Sequence, residues 1–91
     1  MPGPGPAARS IDVVVYSRKD CHLCEEAKAT ISALAPGAPR PFTVREIDID
    51  TDPALVAAYN DEVPVIFIGG RKAFKYHVDP AEFARKLEHT P

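Results

Sequence analysis

No periodic hydrophobic pattern is present before residue 11, where Ile11-Asp12-Val13-Val14-Val15-Tyr16-Ser17 begins a near-continuous β-branched run. Such a run predicts a strand covered on both faces, the centre of a sheet. From His22 the period changes, because Leu23, Ala27, Ile31 and Leu34 recur at helical spacing with Glu25, Lys28 and Ser32 on the other side. This predicts a helix to Leu34, which the proline-rich stretch from Ala35 to Pro41 cannot prolong. Phe42 to Asp48 alternates as a second strand. Asp52-Pro53 supplies an N-cap and a first-turn proline for a short helix through Tyr59, with Leu55 and Tyr59 as its buried stripe. Val63-Pro64-Val65-Ile66-Phe67-Ile68 reads as another buried strand, and Gly69-Gly70 as a hairpin turn into a fourth strand from Arg71 to His77. Asp79-Pro80 repeats the capping device for a last helix to about His89, with Phe83 and Leu87 turned inward.

The element order is therefore β-α-β-α-β-β-α. A helical crossover makes the first two strands parallel, and a two-residue turn makes the last two antiparallel. The expected fold is α/β, a four-stranded mixed sheet with helices on both faces. Residues 11–91 form its single domain. Residues 1–10 are rich in proline, which donates no hydrogen bond, and in glycine, whose backbone is costly to order, and are expected to be a disordered tail.

Composition changes this picture in a few respects. Ninety-one residues, 45% of them hydrophobic, suffice for one small core. A net charge of −2 and a pI near 5.8 argue against a nucleic-acid surface, and no apolar run reaches the length of a membrane span. No charged start followed by an apolar core marks a secretory signal, so the cytoplasm is the expected location. In that reducing compartment a cysteine pair points to catalysis or metal binding before it points to a structural bridge.

Both cysteines lie in Tyr16-Ser17-Arg18-Lys19-Asp20-Cys21-His22-Leu23-Cys24, where the first strand gives way to the first helix. At a helix start the first thiol lies beside unpaired N–H groups and the positive end of the dipole, so the Cys21 thiolate is favoured over its thiol. The thiolate is the nucleophile of disulfide exchange. Cys24 is then close enough to resolve a mixed disulfide by forming Cys21–Cys24. A purely structural bridge competes poorly, because a ring spanning two intervening residues constrains the unfolded chain little. Tetrahedral zinc needs four ligands, and only the scattered His22, His77 and His89 could join the pair. No metal is expected. A protonated His22 would stabilise the Cys21 thiolate, while Glu25 either complements the helix N-terminus or takes the Cys24 proton.

This segment, followed by Glu62-Val63-Pro64-Val65-Ile66-Phe67-Ile68, resembles the glutaredoxin-like proteins of the thioredoxin superfamily over residues 11–89. The resemblance implies a thioredoxin-like fold and a thiol–disulfide oxidoreductase, with Cys21 as nucleophile and Cys24 as resolving thiol. It also implies that Pro64 follows a cis peptide bond, leaving the Val63 N–H and C=O free for a peptide-like substrate. Arg18, with Lys19 beside it, falls where glutaredoxins often place a lysine that meets a carboxylate of glutathione. Substrate contacts are thus expected from Arg18, Lys19, His22, Val63 and Pro64. No cofactor is expected to be bound. The expected partner of the monomer is a protein disulfide or a low-molecular-weight thiol, with an external thiol such as glutathione as a possible reductant. The chain departs from glutaredoxins at Phe74-Lys75-Tyr76-His77, where those proteins carry a Gly-Gly pair, a small residue and an Asp that grip glutathione. Glutathione is accordingly expected to bind poorly. Two other functions fit the same residues: a protein-binding module using the Pro64 groove, and an iron–sulfur carrier ligated by Cys21.

Overall fold

In the computed structural model, which describes residues 10–91, the first strand β1 (Ile11–Ser17) is an inner strand of a four-stranded mixed sheet. Helix α1 (His22–Leu34) carries the chain to β2 (Phe42–Asp48), which pairs parallel to β1 with Ile11 opposite Phe42 and Ser17 opposite Asp48. A short 3-10 turn (Ile49–Thr51) and helix α2 (Pro53–Tyr59) precede β3 (Val65–Ile68). β3 runs antiparallel to β1, with Val13 opposite Ile68 and Tyr16 opposite Val65. The Gly69-Gly70 turn leads to the edge strand β4 (Arg71–Lys75), and α3 (Pro80–Glu88) ends the fold. The strand order is β2-β1-β3-β4. The tail expected over residues 1–10 lies, apart from Ser10, outside the described residues.

The period of two along β1 divides the helices between the faces. Ile11, Val13 and Val15 join Ile66 and Ile68 of β3 in one buried cluster with Ala27 and Ile31 of α1 and Phe83 and Leu87 of α3. On the other face, Tyr16 packs against Tyr59 of α2 and Phe67 of β3, with ring centroids 5.0 and 5.5 Å away. Asp52 and Asp79 cap α2 and α3 through side-chain oxygens that accept from Ala54 and Glu82 N–H, each followed by a first-turn proline. The Val63–Pro64 peptide bond is cis.

Three expectations need correction. Leu55 and Tyr59 are half-buried, and no residue of α2 is fully buried. With only two turns, this helix covers its face incompletely. The fourth strand ends at Lys75 rather than His77, because Tyr76 turns out of the ladder at φ 69°. The third strand begins at Val65, since the two preceding residues approach the sheet without joining its ladder.

Candidate active site

β1 hands Ser17 to a turn, Arg18 to Asp20, that ends at the start of α1. Asp20 adopts φ 56°, a left-handed conformation in which Asp, with its short polar side chain, is better tolerated than most residues. Cys21 follows in extended conformation as the N-cap of α1. Its sulfur accepts from the Cys24 N–H at 3.1 Å, and its carbonyl accepts from the Glu25 N–H at 3.2 Å. Sulfur thus stands where a Ser or Asp oxygen usually satisfies the open N–H groups of a helix. A negative charge on Cys21 would face that N–H and the positive end of the α1 dipole.

A disulfide joins Cys21 to Cys24, with Cα atoms 5.2 Å apart. The two residues differ in access. Cys24 falls three residues before Ala27 and seven before Ile31 on the inward stripe of α1 and is fully buried, whereas Cys21 is partly exposed. Cys21 opens into a shallow depression that it shares with Asp20, His22 and Glu25. The His22 ring is 89% exposed, and its Nε2 lies 3.4 Å from a Glu26 carboxylate oxygen one turn along the helix. Among the described residues no group of three or more His, Cys, Asp and Glu side chains is placed to hold a metal ion.

Arg18 is bonded within the protein. Its Nε and Nη2 donate to the Asp50 carboxylate at 3.1 and 2.8 Å, and its Nη1 donates to Asn60 Oδ1 at 2.8 Å. The hydrogen bonds between guanidinium and carboxylate raise the Arg18 pKa and hold that of Asp50 below the ordinary range. Arg18 thereby ties the turn before Cys21 to the segment after β2 and to the end of α2. Lys19 is exposed and remains the cation of this turn without an ion-pair partner among the described residues.

A polar network beside the cysteines has no counterpart in the sequence reading. Ser17 is 3% exposed, and its hydroxyl donates to Glu46 Oε2 at 2.7 Å. Lys28 Nζ lies 2.9 Å from the same oxygen and 2.7 Å from Glu25. The hydrogen bond from Ser17, reinforced by that from Lys28, holds the Glu46 carboxyl below its ordinary pKa, and hydrogen bonds to Glu25 and Glu46 raise that of Lys28. One polar residue ending an apolar strand was the sole signal for this network. Its partner, 29 residues away, is fixed by the parallel pairing of β1 and β2.

Because Tyr16 pairs with Val65, the segment Val63-Pro64 enters the sheet at the end where β1 passes to the cysteine turn. Pro64 is buried, and its carbonyl accepts from the Tyr76 N–H at 2.8 Å. The backbone N–H and C=O of half-buried Val63 make no hydrogen bond among the described residues. Phe74 of β4 packs against the core cluster, and Tyr76 just after the strand is exposed. The Phe74 ring stacks on Phe83 with centroids 6.4 Å apart, and the Tyr76 hydroxyl donates to the Asp61 carbonyl at 2.9 Å.

Residues 12–88 match the model of the family described as Glutaredoxin-like domain (DUF836). A glutaredoxin-like protein of Dictyostelium discoideum is 32% identical over 84 residues, spanning 88% of this chain and 78% of the relative. Among solved structures, protein Ne2328 from Nitrosomonas europaea superposes with a TM-score of 0.76 at 31% identity, covering 96% of this chain and 99% of its own. Protein XcR50 from X. campestris gives 0.70 at 31% identity, over 87% of this chain and 99% of that one. A mutant thioredoxin from Halobacterium salinarum, 21% identical with a TM-score of 0.61 over 92% and 77%, shares the fold.

Proposed function

The chain belongs to the glutaredoxin-like domain family, and from that membership we propose that it is a thiol–disulfide oxidoreductase working through Cys21 and Cys24. The observation that carries the reading is the unequal placement of the sulfurs at the N-terminus of α1: Cys21 partly exposed and bonded by an N–H, Cys24 buried beneath it. In the reduced protein the Cys21 thiolate attacks a substrate disulfide, forms a mixed disulfide and releases one substrate thiolate. Cys24 loses its proton and attacks the Cys21 sulfur. The second substrate thiolate leaves, and the electron pair that reduced the substrate is replaced by the Cys21–Cys24 bond. An external thiol or dithiol then restores the reduced form.

Val63 gives an extended substrate backbone a free N–H and C=O to bond, and a protein disulfide suits that contact. Lys19 is the cation best placed to meet a substrate carboxylate, while His22 borders the opening at Cys21. Glutathione is a weak ligand in this account. Arg18 bonds Asp50 and Asn60, and Phe74-Lys75-Tyr76-His77 stands where glutaredoxins carry the glycine pair that permits close backbone approach. A tripeptide has few other groups with which to offset the freedom lost on binding.

The test compares reduction of one small disulfide by the protein when coupled to a generic dithiol and when coupled to glutathione. Turnover with the dithiol and slow turnover with glutathione is the expected result. Absence of turnover with both would remove the oxidoreductase reading, whereas equal turnover would remove only the view of glutathione.

A further inference from the structure

Charge is unevenly divided along this chain. Residues 71–91 hold five Lys or Arg against three Asp or Glu, a net +2, while residues 1–70 hold six against ten, a net −4. The fold gathers much of the positive share on one surface. Arg71, Lys72 and Ala73 of β4 form one wall of a cleft of about 340 Å³, and Arg85, Lys86 and His89 at the end of α3 form the other. No Asp or Glu side chain lines it among the described residues. Lys72 and Arg85 are paired with Glu62 and Glu82. Arg71, Lys86 and His89 have no ion-pair partner among the described residues, and Lys86 lies over the Phe74 ring at 5.8 Å.

We propose that this cleft docks an acidic, extended peptide segment of a protein partner. Charge selects the ligand: Arg71 and Lys86, two cations without ion-pair partners among the described residues, stand on opposite walls of a concave surface and favour carboxylates. Shape selects its form, since β4 is an edge strand with a row of backbone groups unpaired by any strand among the described residues, and an extended segment can add to such an edge. The cleft has room for a few side chains only, near the lower limit for small-molecule pockets. A long polyanion such as a nucleic acid is disfavoured because the rest of the chain carries the −4.

The cleft is remote from the cysteines. The β3–β4 turn meets β1 at Asp12, through the Gly69 N–H, whereas the cysteine turn follows Ser17, about 16 Å further along the strand. A docked segment therefore leaves Cys21 accessible, and the inference does not depend on the redox reading. Edge strands also carry lysine simply to discourage pairing with other edges. That role requires charge on β4 alone. It gives no reason for cations on α3 to line the same cleft.

The experiment is a titration of the isotopically labelled full chain, followed by amide chemical shifts, with a capped hexapeptide of alternating Glu and Val and with its Lys–Val counterpart. Low-salt binding of the acidic peptide is expected to move amides of residues 71–73 and 85–89, and to weaken as salt is raised. Arg71→Gln with Lys86→Gln is expected to weaken it roughly ten-fold while thermal unfolding stays unchanged. Each single replacement, expected to have a smaller effect in the same direction, serves if the double variant folds poorly. The proposal is overturned if the acidic peptide leaves these amides unmoved, or if the Lys–Val peptide moves them equally. It is also overturned if inorganic phosphate at equal concentration reproduces the shifts, since the cleft would then recognise an anion and not a peptide.

Discussion

Cys21 and Cys24 are chemically the same residue, and the difference between them comes from position alone. Cys21 is a partly exposed N-cap whose sulfur is bonded to an N–H, while Cys24 falls on the buried stripe of the same helix. In the reduced protein, Cys21 is expected to be alkylated many times faster than Cys24 at neutral pH, as mass spectrometry of briefly labelled protein would record. Equal labelling would deny that position distinguishes them. Ser17 offers a second test, because its hydroxyl is the main cause of the lowered Glu46 pKa. Ser17→Ala should cost about 1 kcal/mol or less, given that Glu46 is close to half exposed, and should let the Glu46 pKa rise toward its ordinary value. A carboxyl whose folded pKa is depressed adds stability above its unfolded pKa and loses it as pH falls through the folded value. The Ser17→Ala deficit should therefore be complete above the ordinary glutamate value of about 4.3 and shrink below it. Denaturant titrations of both proteins at neutral and acid pH would check this. Of these residues, the sequence revealed the cysteines, because Cys-x-x-Cys at a change from strand to helix is a local pattern. It could not reveal that Arg18 would be taken by Asp50 and Asn60, which lie 32 and 42 residues away.

At the scale of elements, legibility followed the strength of the period. β1, α1, β2 and α2 have the ends expected from β-branched runs, capping aspartates and first-turn prolines, all of them local devices. β4 ended early because Tyr76 adopts a positive φ, which nothing in Phe74-Lys75-Tyr76-His77 signals. The degree to which α2 covers its face was equally illegible, since that depends on how far two turns reach across a sheet. The β3–β4 turn makes a prediction of its own. Gly69 and Gly70 have φ of 58° and 83°, so alanine is strained at either, but an added Cβ at Gly69 would also come within 2.5 Å of Thr90 Cγ2 while at Gly70 it meets open space. Gly70→Ala should cost about 1 kcal/mol and Gly69→Ala somewhat more. Thermal unfolding of the two variants tests the order, and a larger loss for Gly70→Ala would mean that the contact with Thr90 does not matter.

For the whole molecule, the sheet sets the layout. β1 and β3 bring the cysteine turn and Val63-Pro64 to one end, and the β3–β4 turn carries the basic cleft toward the other. This arrangement was legible as an α/β order from the sequence, whereas the gathering of β4 and α3 cations around one cleft required the fold. The proposed function is a division of labour between two thiols, and trapping measures that directly. Cys24→Ser and Cys21→Ser proteins, each reduced and then mixed with a disulfide-containing peptide, would be resolved without reductant. Cys24→Ser should accumulate a mixed disulfide through Cys21, because nothing remains to resolve it, and Cys21→Ser should accumulate little. Equal accumulation in both variants, or none with Cys24→Ser, would contradict the assignment of Cys21 as the nucleophile.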